Sequence, residues 1–155
     1  MNIRYGDYEE KLRPQIEEMI LALYEEDPVG MAMDLRKIRA TLDHCGAHPE
    51  KIRLVTIWHE DELAGYSLVI FFWSNEFGGD ILCLDELYIK KAYRRLGIAS
   101  RFMQDLPQLF PGGAAISLEV TPTNEIAKTF YKHLGFENKE NVTMMRMVNQ
   151  YSELN

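Results

Sequence analysis

The sequence lacks the features that mark several classes of protein. Its two cysteines, Cys45 and Cys83, show neither a disulfide framework nor metal-ligand spacing, which favours a reducing compartment and no metal. The longest unbroken apolar run, Leu68–Trp73, is far too short to cross a bilayer. The opening residues contain no apolar stretch of the kind that a secretory signal needs. We therefore expect a cytoplasmic protein without membrane contact.

Positive charge is also scarce. The chain has 17 Lys and Arg against 24 Asp and Glu, and the resulting net charge of −7 disfavours general nucleic-acid binding. Five of the basic residues lie close together: Lys90, Lys91, Arg94, Arg95 and Arg101. A small basic patch on an acidic protein fits one anionic ligand better than a polymer. The acidic remainder would attract a cationic substrate, or most of it serves only to keep the protein soluble.

Length and hydrophobic pattern predict one globular domain, residues 1–155. The predicted strands are 1–5, 52–59, 63–73, 81–89, 114–120, 136–139 and 142–148. The predicted helices are about 13–27, 34–45, 98–110 and 124–134. A hairpin followed by strand–helix–strand–helix–strand implies an α/β fold with a mixed sheet and helices on both faces.

The chain is organised around Ile81–Met103, which is predicted to form a strand, a basic turn and an amphipathic helix. At the helix start, backbone N–H groups have no intrahelical partner and the helix dipole is positive. Gly97 lets another molecule approach the backbone there, and arginines lie beside it. This turn is therefore a candidate phosphate site. The glycine spacings typical of dinucleotide binding and of nucleotide hydrolysis are absent.

The turn resembles a motif of the GNAT superfamily of N-acetyltransferases, R/Q-x-x-G-x-G/A. Arg94, Gly97 and Ala99 occupy its three positions, with alanine as the accepted alternative to the last glycine. In that family the motif grips the pyrophosphate of coenzyme A.

A second stretch, Ile116–Phe136, is similar to the family pattern N-x-x-A-x-x-x-Y-x-x-x-G-F. The matching residues are Asn124, Ala127, Tyr131, Gly135 and Phe136. Both segments occur in the family order and at about the family distance. Together they are far more specific than either motif alone.

The resemblance implies a GNAT-like acyl-CoA N-acyltransferase fold, with a mostly antiparallel sheet of six to seven strands flanked by about four helices. It also implies acetyl-CoA as acyl donor, held where the fourth and fifth strands splay apart. The implied cofactor-binding residues are Leu87, Tyr88, Ile89, Arg94, Arg95, Leu96, Gly97, Ile98, Ala99, Ser100, Asn124 and Tyr131.

Tyr131 matches the position of the family's general acid, which protonates the leaving thiolate. A phenol titrates at about 10, close enough to a thiol for proton transfer. The alternative is a packed tyrosine with its hydroxyl at the surface. Asn124 has two interpretations as well, because it would bind the cofactor arm or simply cap a helix.

Glu86 is the first candidate for the base that deprotonates the amine, and Asp85 is the second. The two residues point to opposite faces of a regular strand, but a β-bulge, common here in the family, would exchange them. A salt bridge to a nearby Arg or Lys is the alternative. Glu26 and Asp27, in the loop that borders the acceptor site in the family, are candidate substrate-binding residues or a solvated helix end.

We therefore predict an N-acetyltransferase that acts by direct transfer on a small primary amine. Residues 82–100, with their adjacent acidic pair, resemble the polyamine and diamine acetyltransferase branch of the family, and this resemblance implies polyamine-like acceptors. A protein N-terminal or lysine acetyltransferase is one alternative, and a non-catalytic acyl-CoA-binding module is another. A homodimer through residues 142–148 is possible in view of the family.

Overall fold

The structure, a computed structural model, describes residues 1–28 and 30–148. They fall into two compact units, residues 1–124 and the residues from Glu125 onwards. The strands are β1 (Ile3–Asp7), β2 (Ile52–His59), β3 (Glu62–Ser74), β4 (Gly79–Ile89) and β5 (Gly113–Leu118). The helices are α1 (Arg13–Glu26), α2 (Leu35–Ala47), α3 (Ile98–Leu109) and, in the second unit, α4 (Glu125–His133). The single domain expected over residues 1–155 stays a prediction.

The five strands form one sheet in the order β1–β2–β3–β4–β5. The first four pair antiparallel, and β5 runs parallel to β4 after the crossover through α3. The mixed sheet with four helices confirms the predicted fold class.

The prediction of six to seven strands is wrong for the described residues, because 136–139 and 142–148 form no strand. Their apolar residues favour β-structure, but a strand exists only where a neighbouring backbone completes its hydrogen bonds. Val142, Met144 and Met145 instead remain more than 80% exposed.

One face of the sheet is covered by α1 and α2. The predicted apolar positions Ile16, Met19 and Ile20 of α1 are buried there, against Leu68 and Tyr66 of β3. Asp34 caps α2 by accepting a hydrogen bond from the Lys37 backbone N–H, as its residue type predicts.

The other face is covered by α3, whose Phe102 and Leu106 are fully buried. The Phe102 ring meets Tyr5 of β1 edge-on, with centroids 5.6 Å apart. Pro107 does not end the helix, which continues to Leu109. A proline this close to the C-terminus removes only one backbone donor from the helix.

Candidate active site

Strand β4 separates from β5 partway along its length. The parallel ladder ends at Leu84 and Leu118, whereas β4 remains paired with β3 as far as Ile89. Within the described residues, the β5-facing edge of 85–89 is therefore outside the sheet ladder. Backbone groups on such an edge can pair with an extended molecule, which suits the cofactor-binding role expected of Leu87, Tyr88 and Ile89.

A β-bulge lies at the start of this separated segment. Leu84 pairs with Val69 and Glu86 pairs with the adjacent Leu68, so that Asp85 is the additional residue. Because side chains alternate along β3, the bulge places Leu84 and Glu86 on opposite faces of the sheet. Asp85 is exposed, while Glu86 is 9% exposed on the face covered by α1.

The Glu86 carboxylate is held by two tyrosine hydroxyls. Tyr24 of α1 donates to Oε2 at 2.7 Å, and Tyr66 of β3 donates to Oε1 at 2.8 Å. Burial raises the pKa of Glu86, and the two phenol hydrogen bonds oppose that shift. These partners replace the Arg or Lys that a structural salt bridge would require.

Asp85 belongs to a negatively charged surface at the separation of β4 and β5. Partial removal from water, followed by the charge of Glu119, raises the pKa of Asp85. Burial likewise raises the pKa of the Cys83 thiol, which disfavours its use as a thiolate nucleophile.

The predicted phosphate-binding turn leads into α3. Gly97 has a left-handed backbone with φ of 79° and caps the helix N-terminus, and the space around it is open. The first-turn N–H groups of Ile98, Ala99 and Ser100 lack intrahelical acceptors, as in any helix. Together with the exposed Arg95, this turn fits a pyrophosphate group.

Arg94, the first residue of the motif, has protein partners. Its Nη2 contacts both carboxylate oxygens of Glu26 at 3.0 and 2.8 Å, and its Nε donates to the Ile89 carbonyl at 2.7 Å. Asp27 accepts a hydrogen bond from the Thr121 hydroxyl at 3.1 Å. The predicted acceptor loop is therefore joined to both the phosphate-binding turn and the segment after β5.

In the second unit, Tyr131 lies in the last turn of α4. Its ring meets Phe130 and Phe136 edge-on, at 5.0 and 5.7 Å between centroids. Burial raises the pKa of Tyr131, so its phenol retains a proton to donate. Asn124 immediately precedes the helix, and its backbone N–H bonds to the Thr121 carbonyl.

Comparison with a family model tests the resemblance to GNAT acetyltransferases that the two motifs suggest. The model of the acetyltransferase (GNAT) family matches residues 17–136. The chain belongs to this family. It is accordingly an acyltransferase, and acetyl-CoA is the family's co-substrate.

Solved GNAT structures share the fold at low sequence identity. A possible acetyltransferase from Clostridium difficile is 19% identical, with a TM-score of 0.80 over 94% of this chain and 98% of that one. A GNAT family acetyltransferase from Staphylococcus aureus is 15% identical, with a TM-score of 0.69 over 95% and 100% of the two chains. A comparison with curated proteins finds no significant match.

One of the solved structures with this fold holds a bound aminoglycoside. It is an aminoglycoside acetyltransferase from an uncultured soil metagenomic sample, in complex with sisomicin. It is 12% identical, with a TM-score of 0.68 over 94% of this chain and 95% of that one. At this identity the likeness concerns the fold alone.

Sequence reasoning missed Tyr24 and Tyr66 as partners of Glu86 in this GNAT protein. Tyr24 continues the apolar stripe of α1, four residues after the buried Ile20. A tyrosine at such a position buries its ring and needs a polar partner for its hydroxyl. The sequence therefore indicates that the Tyr24 hydroxyl needs a partner. It does not identify that partner, because Glu86 is 62 residues away along the chain.

In the described part of the chain, no group of three or more His, Cys, Asp or Glu is arranged to hold a metal ion. None of the described helices is long and apolar enough to cross a membrane.

Proposed function

We propose that this GNAT protein transfers the acetyl group of acetyl-CoA directly to the primary amine of a small cationic molecule. Glu86 is the base that receives the amine proton, and Tyr131 is the acid that protonates the leaving thiolate. The backbone of 87–89 and the turn at 94–100 hold the acyl donor, with Asn124 at its arm.

The observation that carries this proposal is the environment of Glu86. A carboxylate that is 9% exposed, with its pKa raised by burial, lies in β4 where the strand separates from β5. A raised pKa brings a carboxylate closer to the operating range of a general base.

The cationic acceptor is supported by charge. Asp85 places negative charge beside Glu86, Glu119 places it beside Asp85, and the chain as a whole carries −7. A polyamine would find several carboxylates within its length, whereas a monoamine would use one. Within this proposal, Glu26 and Asp27 at the end of α1 contribute to binding the acceptor.

Calorimetric titration with acetyl-CoA tests the donor site. We expect saturable binding that Gly97→Glu abolishes, because a carboxylate there would repel the pyrophosphate. Gly78→Glu is the matched control, since Gly78 also has a positive φ (65°) and open surroundings but lies in the turn before β4. Absence of wild-type binding, or equal loss in both variants, would contradict the donor site.

The acetyl transfer itself is tested by measuring release of the coenzyme A thiol with putrescine or spermidine as the acceptor. Turnover of either amine supports the proposed function. Tight acetyl-CoA binding without turnover of any small amine would favour the non-catalytic module. An acetyl mass added to peptides but not to small amines would favour a protein acetyltransferase.

A further inference from the structure

The two tyrosines that hold Glu86 differ in their access to solvent. Tyr66 is fully buried at 0% exposure, whereas Tyr24 is half-buried near the C-terminal end of α1. Each donates to a different oxygen of the same carboxylate. Of the two partners of the 9% exposed Glu86, Tyr24 is therefore the residue that reaches the solvent.

We propose that Tyr24 relays the proton of the acceptor ammonium to Glu86. This inference rests on the proposed function of Glu86 as base. An N–H proton of the ammonium passes to Tyr24 Oη while the Tyr24 O–H proton passes to Glu86 Oε2. The ammonium becomes a neutral amine, the carboxylate becomes a carboxylic acid, and Tyr24 ends as a neutral phenol. Glu86 later returns its proton to water by the reverse path.

The chemistry of the phenol suits a relay. A tyrosine hydroxyl donates one hydrogen bond and accepts others at the same time. Burial and the hydrogen bond to Glu86 raise the pKa of Tyr24, so it stays protonated and does not act as a base alone. Tyr66 holds the second oxygen from inside the protein and is a positioning residue.

Four titratable groups on the surrounding elements interact electrostatically with Glu86. These groups are Tyr24 on α1, Cys45 on α2, Tyr66 on β3 and Asp85 on β4. Asp85 is the only one of these four that ionises readily near neutral pH. Its negative charge raises the pKa of Glu86 and of both phenols.

Tyr24→Phe and Tyr66→Phe form a matched pair for the test. Each removes one hydroxyl from one oxygen of Glu86, so both should raise the pKa of that carboxyl and shift the acidic limb of the rate profile upward. Only Tyr24→Phe also interrupts the relay. We expect its kcat to fall about 100-fold, the usual scale for a lost proton-transfer group, with an unchanged Kd for acetyl-CoA. Tyr66→Phe should lose less than about tenfold at its own pH optimum.

Alkaline pH supplies a readout that a structural role would not change. As the acceptor ammonium deprotonates in solution, the relay becomes dispensable, so the deficit of Tyr24→Phe should shrink while that of Tyr66→Phe stays constant. Turnover of Tyr24→Phe within threefold of wild type, or equal deficits of both variants at every pH, would overturn the relay.

Glu86→Gln separates failure of the relay from failure of the proposed function. An inactive Glu86→Gln with an active Tyr24→Phe would leave Glu86 as base and remove only Tyr24. An active Glu86→Gln, or a wild type that acetylates no amine, would overturn the proposed function and the relay with it.

Discussion

At the scale of one residue, Tyr131 has a structural role at the end of α4 besides the acid role that we propose for it. The Gly135 N–H bonds to the Lys132 carbonyl and the Phe136 N–H to the Tyr131 carbonyl, and Gly135 has φ of 91°. This pattern is a Schellman motif, completed by the ring contact between Tyr131 and Phe136. The last residues of the family pattern thus end the helix, and the ring of Tyr131 contributes to that packing without its hydroxyl.

Tyr131→Phe therefore isolates the hydroxyl. We expect kcat to fall about 100-fold or more, since the thiolate would leave without its acid, while the Kd for acetyl-CoA stays unchanged. Tyr8→Phe is the control, because the Tyr8 hydroxyl donates to the exposed Glu10. Steady-state kinetics and calorimetry on the three proteins provide the measurement, and an undiminished kcat would remove Tyr131 from the mechanism.

The close approach of β3 and β4 requires a glycine at position 65. A Cβ at this position would overlap the carbonyl oxygen of Tyr88, so β3 approaches the end of β4 only because this residue has no side chain. We expect Gly65→Ala to lower the free energy of unfolding by about 1–3 kcal/mol, the usual cost of overpacking.

The control for that variant is Gly46→Ala in α2, where a Cβ meets nothing within 4 Å. It should stabilise the protein by about 0.5–1 kcal/mol, because alanine favours helix. Urea unfolding of both variants gives the comparison. A neutral Gly65→Ala would show that β3 and β4 can move apart without cost.

Individual elements could be predicted from the sequence where local chemistry decides them. The predicted bounds of β2 are those observed, α1 starts at Arg13 with Pro14 in its first turn, and Asp34 caps α2. The β4 bulge was foreseen only as a family feature. Its consequence, Glu86 inside and Asp85 outside, depends on register with β3.

Elements whose structure depends on distant partners could not be predicted. Residues 142–148 have an apolar pattern suited to a strand, yet they have no ladder partner in the structure. The ion pair between Glu26 and Arg94 spans 68 positions and changes the interpretation of both residues. The family resemblance assigned Glu26 to the acceptor and Arg94 to the cofactor, whereas the fold joins them.

The end of α1 should therefore influence acetyl-CoA affinity. Glu26→Gln removes a carboxylate that occupies Arg94 and would repel a nearby pyrophosphate. Exposed ion pairs contribute about 0.2–1 kcal/mol, so we expect a roughly two- to fivefold lower Kd. The neighbouring exposed Glu25→Gln is the control, and calorimetry at two salt concentrations is the measurement. Weaker binding by Glu26→Gln would instead assign Glu26 the role of orienting Arg94.

At the scale of the whole molecule, carboxyls whose pKa is shifted by folding make stability depend on pH. Several exposed carboxyls have a pKa below the ordinary value, namely Glu10, Asp34, Glu50 and Glu125. Their contribution is lost only as the pH falls through those low values. Asp85 and Glu86 have a raised pKa, so their contribution to stability is lost as the pH rises, and this occurs above their ordinary pKa values.

Glu86 should make wild-type stability fall as the pH rises. Its pKa in the folded state lies above the ordinary 4.5, so the folded protein binds the proton more tightly than the unfolded chain. Stability from this group is fully present below 4.5 and is lost as the pH rises through the folded-state pKa, at about 1.4 kcal/mol per pKa unit of difference. Glu86→Gln should flatten this slope in urea unfolding from pH 5 to pH 8, whereas Glu76→Gln, in an exposed turn, should retain it. Parallel curves for Glu86→Gln and wild type would show that the carboxyl titrates alike in both states, and would weaken its assignment as a base with a raised pKa.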